Sequence, residues 1–158
     1  MLAYAAVGPC LRLSRVLALI GGLGLIAAFF MPWFSSQGLL LSGQFLHTSL
    51  GSASAADLRR FLPTSSPQEV QLLRILVDLF PVCGALAAVF ALLGGVLLTG
   101  RTVFNVFLGL SGLIPLVAWA GGITRLPAGA ASEVGLWLIA VGSLAVLVGA
   151  VLEFSRAR

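Results

Sequence analysis

Four stretches of this chain are apolar almost without interruption, at about Val16–Phe34, Ile75–Leu98, Val103–Ile123 and Val134–Leu152. Each is long enough to cross roughly 30 Å of hydrocarbon at about 1.5 Å per residue, so each predicts a membrane-spanning helix. The pattern therefore predicts an all-α, integral membrane four-helix bundle, with residues 1–158 forming a single membrane domain. The only long polar interruption, residues 35–74, predicts a partly structured first outer loop, far longer than ordinary helix connections and for that reason the expected working part. Thr99 to Thr102, by contrast, is so short a connection that the second and third spans must be antiparallel neighbours.

Within the loop, Ser35 to Leu50 mixes glycines and serines with Leu39-Leu40-Leu41 and Phe45-Leu46, which reads as a short hairpin or a segment dipping apolar side chains into the membrane boundary. Ser54-Ala55-Ala56-Asp57 before Leu58-Arg59-Arg60-Phe61-Leu62 reads as a capped helical turn stopped by Pro63. Ser66-Pro67-Gln68-Glu69 supplies an N-cap serine, proline at N1 and glutamate at N3. A helix should start there and run into the second span, projecting beyond the bilayer unless Pro81 kinks it.

Charge orients the bundle. All nine basic residues are arginines. An even number of spans puts Arg12, Arg15, Arg101, Arg156 and Arg158 on one side, with Glu153 as their only counter-charge. The other side balances Arg59, Arg60, Arg74 and Arg125 against Asp57, Glu69, Asp78 and Glu133. Basic residues are retained on the cytoplasmic side, so both termini should be cytoplasmic. Trp33, Trp119 and Trp137 all fall at the outer ends of spans, where indole rings prefer to sit, and are expected as interface anchors. The first span ends in Phe29-Phe30-Met31-Pro32-Trp33 and lacks the small-x-small cleavage signal of a secretory leader, so it is read as uncleaved. At 59% hydrophobic and 9% charged residues, the composition leaves no room for a separate soluble domain. The arginines, single or paired at membrane boundaries, point to anionic lipid and away from nucleic acid.

Little in the chain specifies chemistry. Cys10 and Cys83 lie at different depths, belong to no C-x-x-C pair, and read as small packing residues. Arg74 and Asp78, spaced i,i+4 at the outer edge of the second span, are expected to form an ion pair. His47, the only histidine, is the one candidate ligand for a metal, haem or pigment, and it has no companions; no cofactor and no metal site is expected. Gly135, Gly142 and Gly149 recur every seventh residue down the fourth span, and Gly84, Ala88, Ala91 and Gly95 form a similar face on the second. Such stripes let helices approach closely in lipid, either within the bundle or against a partner. Gly21-Gly22-x-Gly24 follows no strand and is rejected as a nucleotide-binding loop. Pro115 and Asn105 read as a kink and a polar packing contact.

Phe30-Met31-Pro32-Trp33-Phe34, followed by a Gly/Ser-containing apolar stretch, resembles small, largely uncharacterised four-span bacterial membrane proteins with a Pro-Trp at the outer end of helix one. The layout, with a large first outer loop starting at a tryptophan, is also similar by analogy to the claudin and peripheral-myelin type. This loop has Gly38-Leu39-Leu40 where that family has Gly-Leu-Trp, and it has no cysteine, so neither the disulfide nor the paracellular role carries over.

These features predict a non-catalytic subunit of the bacterial inner membrane, packed against a larger complex of respiratory or photosynthetic type. Its contacts would be membrane lipids and other integral membrane subunits, reached through helix faces and the loop 35–74. A small homo-oligomeric transporter or channel, with Arg74 and Asp78 at an outer vestibule, is the alternative. A lipid-modifying or quinone-using enzyme finds no catalytic set in the sequence.

Overall fold

The computed structural model describes residues 13–36, 39–52, 67–93, 101–124 and 130–155. Its elements are α1 (Leu13–Phe30), β1 (Pro32–Ser36), β2 (Leu39–Ser42), α2 (Gly43–Ser52), α3 (Pro67–Leu93), α4 (Arg101–Ile123), β3 (Ala131–Ser132) and α5 (Val134–Ser155). Four of these helices, α1, α3, α4 and α5, are long and apolar enough to cross a membrane, which makes this a multi-pass helical membrane protein by length and composition. The expected bundle is present, with a small sheet added to it.

The boundaries follow local chemistry. The second long helix opens at Pro67, as the proline at N1 predicts, and runs through Pro81 to Leu93 as one helix. Residues 94–98 of the expected span, and with them Gly95, lie outside the described residues, as do Cys10 and the capped turn expected at 54–62. The first helix is shorter than expected. It stops at Phe30, because the residue before Pro32 is pushed out of helical geometry and Pro32 has no N–H for the helix ladder. Pro32, Trp33 and Phe34 therefore belong to β1.

Packing is organised around α1, which lies between α3 and α5, while α4 closes the bundle against α5 and α3. The contacts are set by glycine. A Cβ at Gly21 would fall 2.5 Å from the Gly142 carbonyl oxygen of α5, and one at Gly22 would fall 2.7 Å from the Gly84 carbonyl oxygen of α3. Consecutive helical residues point about 100° apart, so this glycine pair admits two helices at once. Gly149 continues the α5 seam, where a Cβ would meet the Ser14 carbonyl oxygen at 2.5 Å, and a Cβ at Gly112 of α4 would lie 2.9 Å from the Ser143 carbonyl oxygen of α5. Ala88 and Ala87 line the α3 side of Gly22, with Ala91 buried beyond them. The small-residue faces of α3 and α5 thus serve the protein's own bundle. Against α3, α4 packs through larger groups: Phe90 meets Phe104 edge to face and stacks on Phe107.

Replacing Gly142 by leucine should lower stability by about 1–3 kcal/mol or more, since the nearest atom the added side chain meets is the Gly21 backbone carbonyl of α1, 2.9 Å from the Cβ position, with the fully buried Leu25 beside it. Gly109→Ala, whose Cβ would stop 4.0 Å from the Ala150 Cβ, should be nearly neutral. Thermal unfolding in mild detergent measures both.

Candidate functional site

At the end of the bundle away from the termini, the three strands and α2 form a cap. The sheet order is β2-β1-β3, antiparallel throughout, so β1 joins the connection after α1 to the one before α5. The hairpin reading of Ser35 to Leu50 is realised as β1 and β2, followed directly by α2. The β1/β2 register shifts between Pro32 and Phe34, at Trp33. Such a bulge re-aims a side chain, and here the indole turns into the core.

Trp33 is only 5% exposed, which corrects its expected place among the boundary anchors. Its Nε1 donates to the Ala28 carbonyl oxygen at 2.7 Å, a last-turn carbonyl that also accepts from the Met31 amide at 3.2 Å. Its ring meets Phe80 of α3 edge to face at 5.1 Å. Two glycines make room for it. A Cβ at Gly43, the first residue of α2, would lie 2.5 Å from Trp33 Cζ2, and one at Gly135 would lie 2.9 Å from Cδ1 and 2.7 Å from the Pro32 carbonyl oxygen. Gly135, expected as a helix-packing residue, is thus used against β1. The Glu133 amide donates to the Trp33 carbonyl at 2.8 Å, completing the junction of α1, α2, α3 and α5 on one residue. Trp119 and Trp137 lie against each other nearby on α4 and α5, with ring centroids 5.8 Å apart; Trp137 is exposed, whereas Trp119 Nε1 is shielded without a hydrogen-bond partner among the described residues.

The ionisable groups pair differently from the local spacing. His47 Nδ1 of α2 lies 2.5 Å from Asp78 Oδ1 of α3, both side chains being 41% exposed. Arg74 is directed elsewhere, toward the last turn of α2, where a Cβ at Gly51 would lie 3.5 Å from its Nη2. The expected Arg74–Asp78 pair is therefore replaced by two contacts to α2. Since α2 runs antiparallel to α3, its histidine falls opposite Asp78 and its carboxyl end opposite the guanidinium, where a cation is favoured by the helix dipole.

A second polar group sits at the other end of the bundle. Ser14 donates to Glu153 Oε2 at 2.7 Å and Arg15 Nη2 approaches Oε1 at 3.3 Å, tying the start of α1 to the end of α5. Glu153, 5% exposed, appeared in the sequence only as a counter-charge. Asn105 is equally buried and its Nδ2 has no partner among the described residues. Cys83 is buried with a free thiol. No group of three or more His, Cys, Asp or Glu among the described residues is placed to hold a metal ion. The chain matches no family model, no curated protein and no solved structure.

Trp33→Phe keeps most of the apolar contact but loses the bond to Ala28, and should cost about 1 kcal/mol. Trp33→Ala should cost about 3–5 kcal/mol because it also leaves a cavity between α2, α3 and α5. Denaturant unfolding followed by helicity separates the two.

Proposed function

We propose that this protein is a non-catalytic accessory subunit that packs against a larger complex in a bacterial inner membrane, with its termini in the cytoplasm and its cap outside. The respiratory and photosynthetic membranes are where such a host is sought first. The small-residue seams are spent on internal packing, so the partner surface is what those seams leave over. Over most of the bundle the exposed positions carry side chains suited to lipid, such as Ile20, Leu23, Val82, Leu86, Leu110, Leu113 and Val148. The observation that carries the proposal is the cap end of α4. There Ala120, Gly121 and Gly122 are exposed, and a Cβ at either glycine would meet no atom within 4 Å. A helix surface this small suits close approach by another helix better than it suits lipid chains. On the cap, Leu39, Leu40 and Phe45 add exposed apolar groups.

One observation favours the transporter reading as the second choice. The interior toward the termini is polar, with Glu153, Ser14 and the unpartnered Asn105 amide all buried. Buried polar groups in a membrane bundle commonly mark a pathway.

Native-size analysis after mild detergent extraction, with mass spectrometry of co-migrating proteins, tests the choice. The accessory reading expects stable co-migration with a large complex. It further expects Gly121→Leu to abolish that co-migration without lowering the thermal stability of the isolated protein. A lone monomer or small homo-oligomer overturns it and moves the transporter reading to first place.

A further inference from the structure

We infer that the tip of the β1/β2 hairpin and the first turn of α2 lie in the lipid boundary at the cap end of the bundle, with Leu39, Leu40 and Phe45 set among the acyl chains next to the headgroups. This placement is independent of the accessory-subunit reading, since it concerns lipid and not a host protein. Asp78 and Arg74 of α3, which lie against His47 and Gly51, belong to a stripe that continues in steps of three or four residues through Val82, Ala85, Val89 and Leu92. Those four are exposed on the side of a membrane-crossing helix, where lipid covers them. α2 therefore rests on the outer turns of a lipid-facing stripe. It sits on the flank of the bundle and not over its axis, continuous with the lipid-covered surface below it.

The depth follows from contacts with α1. Gly43, the first residue of α2, lies against Phe29 and Trp33, and the Phe45 amide donates to Ser42 Oγ at 3.1 Å. Phe29 is in the last turn of α1, where Phe30 and the following Met31 are exposed. β2 ends at Ser42, paired with Pro32. At about 3.3 Å per residue, Leu40 and Leu39 stand no more than about 7 and 10 Å beyond that level, even on a strand pointing straight outward. Leu39 and Leu40 are neighbours on a strand and point to opposite faces, yet both are exposed, so neither face of the tip is packed on protein. In water both leucines would stay uncovered; in the boundary, lipid covers them. The exposed face of α2 is graded in the matching sense, with Phe45 in the turn nearest the bundle and Thr48, Gly51 and Ser52 following outward. Residues 31–56 contain no Asp, Glu, Lys or Arg, so no permanent charge resists this position.

Spin labels on single cysteines read this depth in the full-length protein, reconstituted in phosphatidylcholine nanodiscs with Cys10 and Cys83 replaced by alanine. Labels at Leu40→Cys and Phe45→Cys should collide more often with oxygen, which concentrates in lipid, than with a water-soluble nickel chelate. A label at Val89→Cys on the exposed stripe should do the same, and one at Gln68→Cys, exposed near the projecting start of α3, should show the reverse. Preference for nickel at positions 40 and 45 overturns the inference, and so does low collision with both reagents, as cover by protein would give. The unaltered protein supplies a second reading. A phosphatidylcholine carrying a photoreactive diazirine on its acyl chain should leave adducts on residues 39–45 as well as on residues 82–92; adducts on 82–92 alone overturn the inference equally.

Discussion

Everything in this bundle rests on how closely α1 can approach two helices at once. Inside a membrane there is no hydrophobic force pressing helix against helix, since lipid tails are as apolar as leucine, and association depends on dispersion contacts that fall away steeply with distance. Gly21 and Gly22 bring α1 backbone against α5 and α3 backbone, respectively, at separations that a single methyl group would prevent. Fully buried side chains such as Leu25, Ile139 and Val146 then fill in around those contacts. α4 adds to this core through Gly112 and an aromatic cluster, and its outward surface remains bulky except at the cap end.

The two ends of the bundle are finished in different ways. At one end Glu153 receives Ser14 and Arg15, a polar tie between the first and last helices. At the other, a bulged strand turns Trp33 inward so that one side chain serves α1, α2, α3 and α5 together. The sheet depends on this arrangement, because β1 and β3 meet only if the ends of α1 and α5 are already side by side. The seam of glycines thus fixes where the cap can form.

How much of this could be read in advance depends on how local each signal is. The four spans, the start of α3 at Pro67 and the heptad of glycines on α5 are short-range patterns, and hydropathy, capping chemistry and periodicity express them directly. Aromatic residues continue past Pro32, so hydropathy carries the expected first span beyond the true end of α1; proline decides where the helix stops. The position of Trp33 at the outer end of a span points to the boundary, whereas a bulge that only strand pairing reveals turns it inward. The pair Arg74 and Asp78 satisfied the helical spacing, yet Asp78 found a partner 31 residues away on an element whose packing the sequence left open. Gly21-Gly22 fails as a nucleotide loop for want of a preceding strand. A glycine pair within an apolar span is instead a signal for two-sided helix packing.

The seam between Gly21 and Gly142 also imposes an order on biosynthesis. The helix that everything else packs against is made first, and its main partner emerges about 120 residues later, some tens of seconds at the slower rates of translation. During that interval α1 presents one bare glycine face to lipid, while its other face is free to accept α3 as soon as that helix arrives. A nascent chain halted before Val134 would hold half a core, have no last helix to set β3 beside β1, and leave Ser14 and Arg15 without Glu153. Completion of the last helix is therefore the event that closes both ends of the molecule, and an unfinished chain carries an open groove along α1.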